Sequence, residues 1–362
     1  MFSSRTRAIV FLPLLPLLLS GVLTGCGKKG DPLPPVRAIP AAIQDLAIRQ
    51  QGGSLYLEMA YPKVTLSGEA LPGIDKIEIL ELRRPAPAVG FEVEVQPREF
   101  AGAAQTYLEL GGEPLKASTF GDRLSVRLEL TDLPEEPTEA RIFGTRVTAT
   151  NGEASGISNL AAIVPRQPPE PPGGLTLLPG PEGIEVRWQP VKAADPEEPG
   201  IEGFHIYRRD ARNRNYGART GAADPDADHY LDRSARFGQR YIYTVTSVVH
   251  KQPLIESGLG GEAEVLYQDR FPPAPPEGVV ALTEAERVRL RWDTSGDADV
   301  VGYNIYRKGL NDFVRLNRQP QKEREYVDDR VRTGRTYIYR VTAVDDQGNE
   351  SEASEEVTTT LR

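Results

Sequence analysis

The sequence predicts an all-β protein built from three tandem β-sandwiches behind an amino-terminal export segment. Three observations carry that expectation. The first is a repeat: beyond residue 166, Gly203-Phe204-His205-Ile206-Tyr207-Arg208 returns as Gly302-Tyr303-Asn304-Ile305-Tyr306-Arg307, and Trp188 returns as Trp292. The second is alternation. Ile184, Val186 and Trp188 interleave with Glu185 and Arg187, as Val288, Leu290 and Trp292 do with Arg289 and Arg291. Strand side chains point to opposite faces with period two, so each block buries one face and wets the other. The third is punctuation: Pro, Gly, Asp and Asn separate short segments, and no run of about 10–12 residues has helical periodicity.

Composition agrees. At 362 residues the chain is too long for one ordinary domain and predicts two or three. Its 34 Gly and 31 Pro make it rich in turns without reaching the level of low-complexity disorder. A net charge of −9, from 43 Lys plus Arg against 52 Asp plus Glu, argues against a general nucleic-acid binder. One Cys excludes an intramolecular disulfide, and three His leave little for metal chemistry.

In chain order, residues 1–25 come first as a targeting segment. Arg5 and Arg7 precede the apolar run Ala8–Leu19, which spans only about 18 Å as a helix and is interrupted by Pro13 and Pro16. This is the layout of a secretory signal peptide. Leu23-Thr24-Gly25-Cys26 resembles the lipobox of bacterial lipoproteins. The resemblance implies cleavage before Cys26, diacylglycerol on its thiol and acylation of the new amine, so several chains anchor the protein stably in a membrane. Without it, Cys26 reads as a free thiol beside an ordinary cleavage site.

Residues 26–40 are the expected lipidated, Pro-rich tether. Gly27-Lys28-Lys29-Gly30-Asp31-Pro32-Leu33-Pro34-Pro35 suits an extended spacer with two lysines against anionic headgroups. From Cys26 the stretch resembles the start of small outer-membrane lipoproteins linked to lipopolysaccharide transport, with Asp31 as an insertion. That implies a Gram-negative envelope and, with Gly27 after the cysteine, the outer membrane. A plain tether is the other reading.

Residues 167–270 and 271–362 form the two clear repeats. They resemble fibronectin type III domains, an immunoglobulin-like sandwich. The resemblance rests on the Pro-rich entries, Trp188 and Trp292, the Gly-aromatic-x-Ile-Tyr-Arg strand, and Tyr241-Ile242-Tyr243-Thr244-Val245 recurring as Tyr337-Ile338-Tyr339-Arg340-Val341. Tyr241 and Tyr337 match the family's tyrosine corner. Residues 41–166 resemble a diverged copy. Phe143-Gly144-Thr145-Arg146-Val147 takes the place of the last core strand, Tyr61 the place of the Trp, and an insertion falls within 84–120. Phe91–Val95 and Tyr107–Leu110 alternate within it and predict an extra hairpin.

Candidate sites are few. His205, His229 and His250 form no cluster with a nucleophile or with metal-ligand spacing. Asp224, Asp226 and Asp228 are spaced as in a calcium loop, but His229 and Ala235 stand where an EF-hand needs Gly and an acid; an acidic turn explains them equally. Arg208, Arg209, Arg212, Arg214 and Arg219 concentrate cations in an acidic chain. They read either as a solvated hairpin or as a site for a phosphorylated glycolipid or acidic protein, since Arg grips phosphate bidentately. No acid–base pair or nucleophile–base arrangement stands out, so no catalytic residue, metal or cofactor is expected. The expected function is non-catalytic: a lipid-anchored envelope protein that spaces and binds through sandwich loops. Its partners would be the membrane, through Cys26, and another envelope protein or glycan, with no nucleic acid. The alternative is an accessory factor in outer-membrane or lipopolysaccharide assembly.

Overall fold

In this computed structural model residues 37–88, 90, 93–130, 133, 138–189, 191 and 200–362 are described. Strands alternate as their sequences require. Across 183–189 the buried Ile184, Val186 and Trp188 face a core while Glu185 and Arg187 face outward.

The first strand set holds β1 (Ala47–Gln51), β2 (Ser54–Ala60), β3 (Ile74–Pro85), α1 (Pro97–Ala103), β4 (Gln105–Gly111), α2 (Gly112–Ala117), β5 (Thr119–Phe120), β6 (Arg123–Glu129), β7 (Glu139–Ala149) and β8 (Ala161–Ile163). The second holds β9 (Gly173–Gly180), β10 (Gly183–Gln189), β11 (Gly203–Asp210), β12 (Gly221–Ala223), β13 (His229–Asp232), β14 (Gln239–Lys251), β15 (Leu254–Glu256) and β16 (Ala263–Tyr267). The third holds β17 (Val280–Glu284), β18 (Arg287–Arg291), β19 (Val300–Lys308), β20 (Phe313–Arg315), β21 (Glu325–Asp328), β22 (Thr336–Asp345) and β23 (Val357–Thr360).

In each set two sheets face one another as a sandwich. The third pairs β17-β18-β21 with β20-β19-β22-β23 around Val288, Leu290, Trp292, Ile305, Tyr339 and Val341. The second packs β13-β10-β9 on β11 and β14 around Ile184, Trp188, Phe204, Ile206, Tyr243 and Val245. Trp188 and Trp292 are both core residues, each 5.3 Å from an aromatic ring of the facing sheet, Phe204 or Tyr303. The tyrosine corners close as the resemblance implies: the Tyr241 hydroxyl accepts the N–H of Arg236 and the Tyr337 hydroxyl that of Arg332.

The first set departs from this plan twice. Its insertion is not a hairpin. Tyr107–Leu110 does form a strand, β4, but it pairs with β3, while residues 93–95 are irregular and Phe91 and Glu92 lie outside the described residues. The cause is an apolar outer face on β3 and β7. Leu80, Leu82, Ala140 and Ile142 point away from the sandwich core and need cover, which Phe100 of α1, Val93 and Val95 supply. Pro97 starts α1 at a position where its missing N–H costs nothing. Gly144 leaves the room: a Cβ there would lie 2.9 Å from the Phe100 ring.

The second departure is at the junction. The β14–β15 hairpin reaches out of its own set, and β15 pairs in parallel with β1, Arg49 opposite Leu254 and Gln51 opposite Glu256. One continuous sheet therefore runs β12-β11-β14-β15-β1-β2-β6-β5 through both sets. Val249 and Ile255 are buried in the first set's core cluster.

Candidate functional site

The five arginines sit on or after β11, and most are engaged internally. Arg208 and Arg209 are neighbours on a strand and so face opposite sides of the sheet. Arg208 donates to Asp232 at 2.6 Å and lies over the Tyr241 ring, while the Tyr243 hydroxyl donates to the same carboxylate oxygen at 2.8 Å. The third set repeats this, with Arg307 and Tyr339 both on Asp328 Oδ2. Arg208 thus occupies a structural position of the module. Arg209 bonds both oxygens of Glu262 and lies over Tyr216. Arg212 forks onto Asp210, whose carboxyl is pulled down to about 2 by those hydrogen bonds. Arg219 donates to His205 Nε2 at 2.6 Å, and Arg214 is exposed. No common point collects the five guanidiniums.

A polar cluster at the junction was invisible in the sequence. Glu256 is fully buried, and its carboxylate accepts hydrogen bonds from Tyr207 (2.8 Å), Thr246 (2.7 Å), Gln51 (2.9 Å) and His205 Nδ1 (3.2 Å). Arginine has no acceptor, so the Nε2 of His205 must accept from Arg219, which puts the ring hydrogen on Nδ1 toward Glu256. Arg49 stands 3.9 Å away, and the N–H of Gly52 bonds the Glu256 carbonyl. Burial alone would raise the Glu256 pKa, but the bonds from His205, Thr246 and Tyr207 outweigh it and hold the pKa below the ordinary value. The Tyr207 hydroxyl is pushed up by burial and by Glu256. His205, which the sequence left as an unremarkable strand histidine, is only 3% exposed.

The third set carries the same arrangement with different cover. Glu350 accepts from Thr342 and from the Tyr306 hydroxyl at 2.6 Å, and Asn304 stands where His205 does. Glu350 is exposed, however, where Glu256 is buried.

Other candidates resolve briefly. Asp224 caps a turn, with the Ala227 N–H on its carbonyl, and Asp228 pairs with His229. The carboxylates that the fold does gather are Asp269, Asp299 and Asp345, all within 4.8 Å of one another. Partial burial and the neighbouring Asp269 and Asp345 raise the pKa of Asp299, and Asn349 bonds Asp345. A surface cleft of about 460 Å³ is lined by Gly278, Val280, Trp292, Asp293 and Arg324. Leu23, Thr24, Gly25 and Cys26 lie outside the described residues, among which no helix is long and apolar enough to cross a membrane.

Comparison with known proteins agrees with the fold. Part of the chain is 38% identical over 91 residues to an amylopullulanase of Thermoanaerobacterium saccharolyticum, covering 24% of this chain and 7% of that one. It is 37% identical over 94 residues to an amylopullulanase of Thermoanaerobacter thermohydrosulfuricus, covering 25% and 6%. The chain therefore spans less than a tenth of either relative. Among solved structures, a Fn3-like protein from Clostridium thermocellum is 26% identical, covering 25% of this chain and 96% of that one with a TM-score of 0.23. The FN1–FN3 domains of chicken CNTN1 are 14% identical, covering 90% and 98% with a TM-score of 0.27. Residues 274–360, which hold the carboxy-terminal sandwich, match the family model of the fibronectin type III domain.

Proposed function

We propose that the protein is a non-catalytic, lipid-anchored module of the cell envelope, held by Cys26 and acting as a spacer and binding surface through fibronectin type III sandwiches. One observation carries the spacer reading: β15 of the second set completes the sheet of the first, so the two sandwiches are joined by backbone hydrogen bonds and a shared core. Of the five clustered arginines, Arg208, Arg209, Arg212 and Arg219 are engaged by partners within the protein. The segments shared with the amylopullulanases are small parts of those chains, which supports reading the stretch as an appended module.

The anchor is tested by labelling cells with palmitate and fractionating them, comparing wild type with Cys26→Ser. Loss of label together with release from the membrane fraction is expected. A Cys26→Ser protein that stays with membranes overturns it. The second reading, an accessory factor in outer-membrane or lipopolysaccharide assembly, is favoured by residues 26–35. Moving that stretch onto an inert carrier, where partner pull-down should persist, separates the two.

A further inference from the structure

Within this one chain the same polar cluster occurs twice, once covered and once open. In the second set the donors that β11 and β14 give Glu256 are completed from outside that sheet. Gln51 and Arg49 bring donors to the carboxylate, and Gly52 brings its N–H to the carbonyl. The acceptor on His205 receives Arg219.

In the third set each counterpart lacks its donor. Hydrogen bonds from Asp345 N–H to the Asn349 carbonyl and from Ser351 N–H to the Ala343 carbonyl bracket Glu350. In an antiparallel ladder that leaves the N–H and C=O of Glu350 facing away from β22, as an open strand edge. Among the described residues no cation forms an ion pair with Glu350; burial would raise its pKa, but bonds from Thr342, Tyr306 and Asn304, with Arg315 acting at longer range, hold it below the ordinary value. Asn304 is 2% exposed, and its Oδ1 has no hydrogen-bond partner, although buried acceptors are nearly always satisfied. The chain's own second set does not supply the donor. Its first strand, β9, reads Gly-Gly-Leu-Thr-Leu-Leu-Pro-Gly, with no Arg or Gln and with a proline that has no N–H to give.

We propose that this edge of the third sandwich, at Glu350, Asn304 and Tyr306, is a docking site for an extended segment of a partner protein that carries an arginine two residues ahead of the position opposite Glu350, as Arg49 stands two residues ahead of Gln51. The partner lies along the open edge at Glu350, the counterpart of the last residue of β15, and its guanidinium meets the carboxylate. The inference rests on the binding-module reading and names the chemistry of the partner.

The test uses the mature chain with Cys26→Ser and a synthetic peptide of residues 46–52, the segment that covers Glu256, together with its Arg49→Ala form. Backbone amide shifts are followed by NMR as peptide is added to about 2 mM. Shifts at 304–306 and 348–351 are expected, weakened about five- to tenfold by the Arg49→Ala peptide and by Glu350→Gln in the protein. Glu350→Asp, which keeps the charge, retains binding, and the Glu350→Gln protein melts as the parent does. No shifts, shifts confined to 254–256, or equal binding by the Glu350→Gln protein overturns the proposal. Binding elsewhere on the sandwiches that ignores Glu350 would sink this site and leave the binding-module reading standing.

Discussion

A carboxylate shut away from water persists only where several donors replace its hydration, and Glu256 has its donors from both sandwiches. Its depressed pKa sets a sign. Stability from this group is present above the ordinary value of 4.5 and is lost as pH falls through the lower folded value. Melting temperature should therefore drop in acid, and Glu256→Gln should flatten that drop in melts taken from pH 7 to 3. Glu256→Ala, which strands Tyr207, Thr246 and His205, should cost about 3–5 kcal/mol by denaturant unfolding. Arg208 makes the contrasting case. Arg208→Ala and Arg307→Ala should each destabilise by about 1.5–3 kcal/mol through the lost charge-assisted bond, and Arg214→Ala by almost nothing. The recurrence of Arg208 as Arg307 was legible in the sequence, but their partners Asp232 and Asp328 were not, and Arg208 stood there among the candidate anion-binding arginines. Nor was Glu256 legible: its partner Gln51 is 205 residues away, and neither residue stands out from its neighbours.

Among elements, the short helix α1 matters beyond its seven residues, because it closes an apolar sheet face that a two-layer sandwich would leave wet. Phe100→Ala should cost about 3–5 kcal/mol, and Gly144→Ala about 1–3 kcal/mol by forcing a methyl against the same ring; both are read from unfolding midpoints. The strands of the two regular repeats could be read from alternation, since one face of each meets a core and the other meets water. The insertion could not. The alternation of Val93 and Val95 with Glu92 and Glu94 has strand period, yet the valines dock on Leu80, Leu82 and Ile142 as irregular chain. Period reports which side chains seek cover and is silent on which surface offers it.

For the whole molecule, the shared sheet predicts how the chain divides. A fragment of residues 41–270 should unfold in one cooperative step. Residues 41–166 alone lose Val249, Ile255 and the strand beside β1, and should melt lower and aggregate through the bared edge. Calorimetry of the two fragments decides it, and a separate low transition within 41–270 would refute it. Tandem sandwiches were evident from the repeats, but their fusion was not, because the pairing of β1 with β15 depends on a hairpin whose reach exceeds its own domain. That pairing also bears on mechanics. Under the proposed anchoring through Cys26, tension would reach the first sandwich through residues 39–41, bonded to residues 64–66, and then β1, a strand clasped on both sides by β2 and by β15. A pull along the strand axis loads those hydrogen bonds in shear, where they must yield together rather than peel one after another.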